Sequence, residues 1–367
     1  MRTLIAGGGT GGHLTPVLAM AQELRRADPS GDVLIVGRRG GVAEGLVTAA
    51  GFRLETLRVS GLDAGNVGSV IRFAARLPAA VRTARRIIRE FGADVVIGGA
   101  GYVSVPVVLA ARWLRVPVAL MEQNAVPGRA TRLLARRDSM VAAAFAQTAA
   151  YLPRARVIHT GNPIRAEVLA TPLRTLGEGC DAVLVMGGSQ GARRINRAMA
   201  GCIETLLRQH PGLRITHQTG ALDADEMDVV AAGLATDLRE RWDLVPFIRD
   251  VGAAIAAADL VLMRAGGSSV AECAALGRPM ILVPYPHAGD HQRFNAAPYV
   301  DAGAARLIPD SECDGQRVAS ELTALLDDPS TWRRMATISS QLGRRDAASR
   351  IVELLGELTG AAARIPG

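Results

Sequence analysis

The 367-residue chain contains no lysine, and all 42 of its basic residues are arginine. That absence removes Schiff-base catalysis, pyridoxal chemistry and the Walker lysine of phosphate-binding loops. Aromatic residues make up only 4% of the chain, which leaves little for stacking nucleic-acid bases, and no recognition helix stands out. The net charge of +7 therefore points to smaller or flatter anionic partners, a nucleotide or a phospholipid surface, and not to nucleic acid. The four cysteines, at 180, 202, 273 and 313, show no metal-ligand spacing and read as reduced thiols. No apolar run is long enough to span a bilayer, and the Leu4-Ile5-Ala6 stretch is too short for a signal peptide, so a cytosolic chain is expected.

What the chain has in quantity is glycine, 40 residues, beside 49% apolar residues, as in an α/β protein packed with Ala, Val and Leu around many tight turns. The most informative stretch runs from Leu260 to Asn295. It reads as a strand (260–263), a glycine turn (265–267), a helix capped by Ser268 or Ser269 and stopped at Gly277, then a strand (280–283) and a polar loop. Such a turn aims backbone N–H groups and a helix dipole past the strand end, which makes an anion site. Glu272, about a turn into the helix, suits a ribose diol, and Asp290, His291, Gln292 and Asn295 suit a sugar. The bland alternative is a βαβ unit whose Gly, Ser and Glu only cap a helix.

The amino-terminal end has the same grammar. Strand Thr3–Ala6 leads into Gly7-Gly-Gly-Thr-Gly-Gly-His13, then a helix over 16–27 with Pro16 in its first turn. Gly7, Gly9 and Gly12 satisfy GxGxxG, and Arg38 and Arg39 after the next strand could take the extra phosphate of NADP, so an oxidoreductase is one reading. His13 at the mouth of the turn is foreign to that reading. Residues 67–91 have a helical period, with Val70, Phe73, Ala74, Leu77, Val81, Ala84, Ile88 and Phe91 on one face and six arginines on the other, and Pro78 should kink or split the helix. Strand 94–97 precedes a second glycine turn (98–106), and strand 116–120 ends in Glu122-Gln123-Asn124. After a turn-rich linker near 159–179 the opening repeats: strand 182–186, glycine turn Gly187–Ala192, helix 193–209. Strands are expected at 213–217 and 244–246, and one or two amphipathic helices after Trp332. Asp223-Ala-Asp225 reads as an acidic, solvated loop, not a metal site. The fold class is α/β, two Rossmann-like domains with parallel sheets flanked by helices and facing across a cleft: 1–160, and 161–340 as the nucleotide-sugar domain, with helix 341–367 packing back on the first.

Taken in order, Gly8–Pro16, Gly99–Pro106, Glu122–Asn124, Gly161–Arg165, Gly187–Ala192, His217–Gly220, Pro246–Asp250 and Arg264–Asn295 resemble the MurG-type family over nearly the whole chain. These are inverting GT-B glycosyltransferases that move N-acetylglucosamine from UDP-GlcNAc to the C4 hydroxyl of undecaprenyl-pyrophosphoryl-N-acetylmuramyl-peptide, turning lipid I into lipid II in peptidoglycan synthesis. The resemblance implies donor contacts at Thr10, Gly11, Gly12, Asn124, Arg165, Ser189, Ile248, Gly267, Ser268, Ser269, Val270, Ala271, Glu272 and Gln292. The chain departs from the family at Met121, Val105 and Thr131, all on the acceptor side.

In-line inverting transfer needs a base for the acceptor hydroxyl and stabilisation of the departing diphosphate. His13, whose ordinary pKa lies near neutrality, is the first candidate for the base and Glu122 the second. Arg165 and the glycine turns would meet the leaving charge, so no metal or other cofactor is expected. The resemblance also places the protein peripherally on the cytoplasmic face of the plasma membrane. It would dock on anionic inner-membrane lipid around Phe73, Leu77, Trp113, Arg72, Arg76 and Arg136. A transferase with another acceptor, a UDP-sugar epimerase on the same scaffold, and a nucleotide-sugar-binding protein without turnover are the alternatives.

Overall fold

The computed structural model describes the chain except residues 9–10, 41–42, 60–66, 100, 138, 173–176, 178, 189–190, 287–289 and 363–367. It divides into two compact units, Met1–Ala166 with Arg345–Gly367, and Glu167–Arg344. Each holds one all-parallel sheet, as expected of strands that are near-continuous apolar runs.

In the first unit the strands are β1 Arg2–Ala6, β2 Asp32–Arg38, β3 Arg53–Leu57, β4 Val95–Gly98, β5 Val118–Glu122, β6 Met140–Ala143 and β7 Arg156–His159, in the order β3-β2-β1-β4-β5-β6-β7. Side chains alternate across this sheet. Leu4, Ala6, Leu34, Val36 and Val96 face one core with the helices Val67–Phe91 and Ser104–Trp113. Ile5, Ile35, Val95 and Ile97 face the other, with Leu14, Val17 and Met20 of the helix Gly11–Ala27 and Ile351, Leu354 and Leu355 of the helix Ala347–Ala362. The carboxyl-terminal helix thus completes the first unit's core.

The second unit has β8 Ala182–Met186, β9 Arg214–Gln218, β10 Trp242–Val245, β11 Leu260–Met263, β12 Met280–Leu282 and β13 Ala305–Leu307, in the order β10-β9-β8-β11-β12-β13. Trp332, fully buried, donates its indole N–H to the Asp259 carbonyl at 2.9 Å and pins the helix Pro329–Leu342 to this sheet. In both sheets the chain order reverses beside the first strand, between β1 and β4 and between β8 and β11. Ligands of open α/β sheets bind outside the carboxyl ends of such strands, and the glycine turns after β1, β4, β8 and β11 all lie there.

Three local expectations are corrected. The first helix begins at Gly11, not at 16, so Pro16 lies inside it, where only the bond to the Gly12 carbonyl is lost. The helix Val67–Phe91 runs unbroken through Pro78, because its inward face, from Leu77 through Ala84 to Phe91, is anchored on both sides of the proline. Residues 161–166 belong to the first unit: Thr160 and Gly161 both donate to the Ala143 carbonyl, and Ala166 donates to Gln22.

Candidate functional site

The first unit's candidate residues gather at the ends of β1, β4 and β5. Gly7 and Gly99 approach so closely that a β-carbon on Gly7 would stand 3.0 Å from the Gly99 carbonyl oxygen and 2.7 Å from Val17. Gly99 donates to the Ala6 carbonyl at 2.7 Å, Ser104 Oγ donates to the same oxygen at 2.9 Å, and Gln123 ties β5 to the Gly99 carbonyl. The helix Gly11–Ala27 starts directly from the first turn, so the backbone of Gly11, Gly12 and His13 forms its first turn. Thr10 and Ser189 lie outside the described residues, as does the side chain of His13.

Glu122 is placed otherwise than a base requires. It is 2% exposed, and its Oε1 accepts from the amide N and side-chain Nδ2 of Asn124 at 3.0 and 3.3 Å. Its Oε2 accepts from Gly128 N at 3.0 Å and Thr131 Oγ1 at 2.6 Å. A carboxylate that receives four donors has both oxygens committed to the loop 122–131 and is not turned toward an acceptor hydroxyl. Glu122 is the clasp of that loop, and Asn124 is the residue it aims. Two of the three departures from the family pattern are accounted for: Thr131 supplies the shortest bond to Glu122, and Met121 is buried beneath Gly99, 3.3 Å from where its β-carbon would be. Arg165, half-buried, also lies in the first unit and not in the nucleotide-sugar unit.

In the second unit the helix Gly267–Ala275 follows β11 through a single turn, and its cap is Gly266, in extended conformation. The expected serine cap is therefore wrong: Ser268 and Ser269 lie inside the first turn. Glycine at the cap leaves that helix start with no capping side chain in the way of a ligand. Val270 packs inward, Ala271 and Ser269 are half-buried, and Glu272 is only 5% exposed on the same turn. Gln292 accepts the Tyr285 amide at 3.0 Å, and Asn295 donates to the Ala265 carbonyl at 3.2 Å, so the polar cluster after β12 holds the glycine turn from the side. Arg264 completes this edge, pairing with Asp310, donating to the Val283 carbonyl, and lying over the Tyr285 ring. Ile248 lies half-buried in the loop after β10.

The turn after β8 is the tightest. A β-carbon on Gly187 would meet the Ala192 amide nitrogen at 2.3 Å, and one on Gly191 (φ +78°) would meet the Thr219 carbonyl oxygen at 2.2 Å. The acidic triplet is not a solvated loop: Asp223 is buried, accepting from Arg193 Nε at 3.0 Å and Asn196 Nδ2 at 2.8 Å. Each Asp223 oxygen thus accepts from one neighbouring side chain within the unit, while Asp225 is exposed. The four cysteines are buried free thiols, and burial pushes Cys202 up to about 12.

Residues 3–143 match the N-terminal domain model of glycosyltransferase family 28, and residues 182–351 match the C-terminal domain model of the same family. The chain is 39% identical over 378 aligned positions to the UDP-N-acetylglucosamine–N-acetylmuramyl-(pentapeptide) pyrophosphoryl-undecaprenol N-acetylglucosamine transferase of Desulforudis audaxviator, covering 99% of this chain and 100% of that one. It is similar to the crystal structure of MurG from Acinetobacter baumannii at 28% identity and TM-score 0.77, over 97% of this chain and 99% of that one. A putative UDP-N-acetylglucosamine 2-epimerase from Listeria monocytogenes shares the fold at 14% identity and TM-score 0.70, over 96% and 95% of the two chains.

The Glu122 clasp makes a prediction that a base would not. Glu122→Ala removes the acceptor shared by the Asn124, Gly128 and Thr131 donors, so denaturant unfolding of the first unit is expected to lose more than about 2 kcal/mol. Thr131→Val, which removes only the hydroxyl donor, should lose about 1 kcal/mol. Full stability in Glu122→Ala with abolished turnover would return the residue to the role of base.

Proposed function

The chain belongs to glycosyltransferase family 28, and from that membership we infer that it transfers N-acetylglucosamine from UDP-GlcNAc to the C4 hydroxyl of undecaprenyl-pyrophosphoryl-N-acetylmuramyl-pentapeptide. The observation that carries this reading is similarity to a transferase of that name from end to end, both domains included. In the reaction the acceptor oxygen attacks the anomeric carbon, the bond from that carbon to the diphosphate oxygen breaks, the hydroxyl proton passes to a base, and UDP departs. The glycine-capped start of the helix Gly267–Ala275 and the turn 187–192 supply main-chain N–H groups for the diphosphate, and Arg165 adds a fixed charge. Glu272 takes the ribose diol, and Gln292 the sugar. His13 is the base, a role strengthened by the engagement of Glu122 elsewhere.

No divalent metal is needed, because developing charge falls on main-chain N–H groups and a guanidinium, and Asp223 is already tied to Arg193 and Asn196. Product formation is expected to persist in EDTA and to require the polyprenyl-muramyl acceptor. UDP release, or formation of another UDP-sugar, from the donor alone would instead favour the epimerase reading. Glu272→Ala is expected to weaken UDP binding by about 1–3 kcal/mol, the range for hydrogen bonds to a charged group, in titration calorimetry of the folded variant. An unchanged affinity would remove Glu272 from the donor site.

A lipid-linked acceptor requires the enzyme to work on a surface, and no helix among the described residues is long and apolar enough to cross a membrane. From the family we take docking to be peripheral, on the cytoplasmic face of the plasma membrane. Phe73 and Leu77 are half-buried against the first unit's core, Phe73 edge-on to Tyr102, so more exposed neighbours offer more apolar area to lipid. Exposed apolar side chains of the first unit include Ile71 (62%) and Trp113 (65%), with Val70, Leu133 and Tyr151. Arg85 stacks over Trp113 at 3.8 Å, and Arg72, Arg76 and Arg136 are exposed, an apolar and basic combination that binds anionic bilayers. In flotation with vesicles containing phosphatidylglycerol, Ile71→Ser with Trp113→Ser should lose binding while the melting temperature holds. Phe73→Ser should instead lower the melting temperature.

A further inference from the structure

Behind the glycine turn after β8 lies a buried polar chain that no part of the transfer mechanism uses. Asn196, in the helix Arg193–Ala200, donates from Nδ2 to the Thr219 carbonyl and to Asp223, both at 2.8 Å. With its amide N–H groups committed to two acceptors, its Oδ1 is the atom facing His217 Nε2 at 3.0 Å, so His217 must carry its proton on Nε2 and donate. His217 is fully buried, stacked on Trp242 at 5.9 Å, and burial alone drives its pKa down to about 4, so it is a fixed neutral donor at neutral pH. The other end of the chain meets the turn. The Thr219 carbonyl held by Asn196 is the atom that abuts Gly191, and the neighbouring Gln218 donates from Nε2 to the Gly188 carbonyl at 2.9 Å.

We propose that His217, acting through Asn196, and Gln218, acting directly, are positioning residues that clamp the 217–220 segment against Gly188 and Gly191 of the turn after β8 and thereby set the main-chain groups at that strand end that receive the donor. The inference rests on the reading of that turn as the diphosphate site. Gly187, Gly188 and Gly191 bring no side chains to hold the turn, and beyond the bond from the Gly191 amide to the Gly188 carbonyl at 2.9 Å these glycines are held by what they pack on. Here both carbonyls that define it, Gly188's own and the Thr219 carbonyl under Gly191, are fixed by this one network. Asp223 and Arg193 close its outer end. The constraint is on shape alone: none of these side chains needs to touch substrate.

The test uses the full-length enzyme with His217→Leu, which keeps apolar volume but removes the donor, His217→Gln, which offers an N–H near the same place, and Gln218→Leu. Hydrogen exchange at the amides of Gly187, Gly188, Gly191 and Ala192 is measured without ligand, beside UDP affinity by calorimetry and steady-state constants for both substrates. His217→Leu is expected to accelerate exchange at those amides and to weaken UDP binding and the donor KM by about tenfold, as loss of a buried hydrogen bond implies. The acceptor KM should not move, and His217→Gln should recover to within about threefold. A general loss of stability would shift both KM values and would not be rescued by glutamine. Unchanged exchange in a folded His217→Leu variant overturns the clamp. Faster exchange with unaltered UDP affinity upholds the clamp and refutes the turn as the diphosphate site. Should the leucine variant at 217 not fold, Gln218→Leu, which breaks only the strut to Gly188, is read in the same way.

Discussion

At the carboxyl ends of β1 and β8 the backbone turns from strand to helix so closely that no β-carbon fits. Val17 and the Gly99 carbonyl close on Gly7, and the Ala192 amide and the Thr219 carbonyl close on Gly187 and Gly191. This constraint governs much of what surrounds it. A strand buried on both faces must deliver its chain into a helix with no room for a loop, and the helix start is then left pointing along the sheet edge with main-chain N–H groups foremost. Because the glycines of these turns bring no side chains, polar groups that hold them come from neighbours: Ser104 and Gln123 in the first unit, Gln218, Asn196 and Asn295 in the second. Those polar residues are buried beside the turns they hold, in an interior otherwise built of Ala, Val, Leu and Ile.

The architecture was legible because this constraint writes itself into sequence. Apolar β-branched runs followed at once by glycine clusters, at Thr3–Ala6 and again at Ala182–Met186, announce parallel strands with helices directly behind, and their recurrence announces two such sheets. The alternation of Leu4 and Ala6 with Ile5 across the sheet follows from strand geometry alone. The residues at the strand ends were legible for the same reason, since topology places Gly267–Glu272 and Glu122–Asn124 at the edges where ligands bind.

What stayed illegible was the direction of polar side chains. Glu122 at a strand end looks like a base until Thr131 and the Gly128 amide, several residues onward, are seen to converge on it. Asp223 reads as a solvated acid in sequence because Arg193 and Asn196, which donate to it, are about thirty positions away. Helical period placed the carboxyl-terminal part of the buried face of 67–91 correctly, from Leu77 through Ala84 to Phe91, whereas Val70 and Ala74, expected on the same face, are exposed. Phe73 and Leu77 satisfy the periodicity and are half-buried against the core, while Ile71, out of phase with it, is left in solvent. Sequence patterns report which side chains share a face, and only tertiary packing reports which donors reach which acceptors.

The absence of lysine bears on the charge as well as on the chemistry. A guanidinium has five N–H donors in a plane and can serve several carbonyls at once, which an ammonium on a flexible stem does less well. Arg241 shows the use: it donates to the carbonyls of Leu207, His210, Leu213 and Asp237, gathering chain ends around the helix Ile203–Gln209. Arg278 is buried and donates to the Ala256 carbonyl near the end of another helix, and Arg112 to the Leu134 carbonyl. Each satisfies helix-terminal oxygens that would otherwise face a poor environment. These arginines are structural fasteners, so the net charge of +7 overstates the positive field available to a partner. The field that reaches solvent comes instead from local clusters, Arg82, Arg86 and Arg89 on the outer face of the helix Val67–Phe91 among them, in the same unit as Trp113. A charge so distributed suits a planar anionic surface meeting one side of one unit better than a polyanion tracked along the whole molecule.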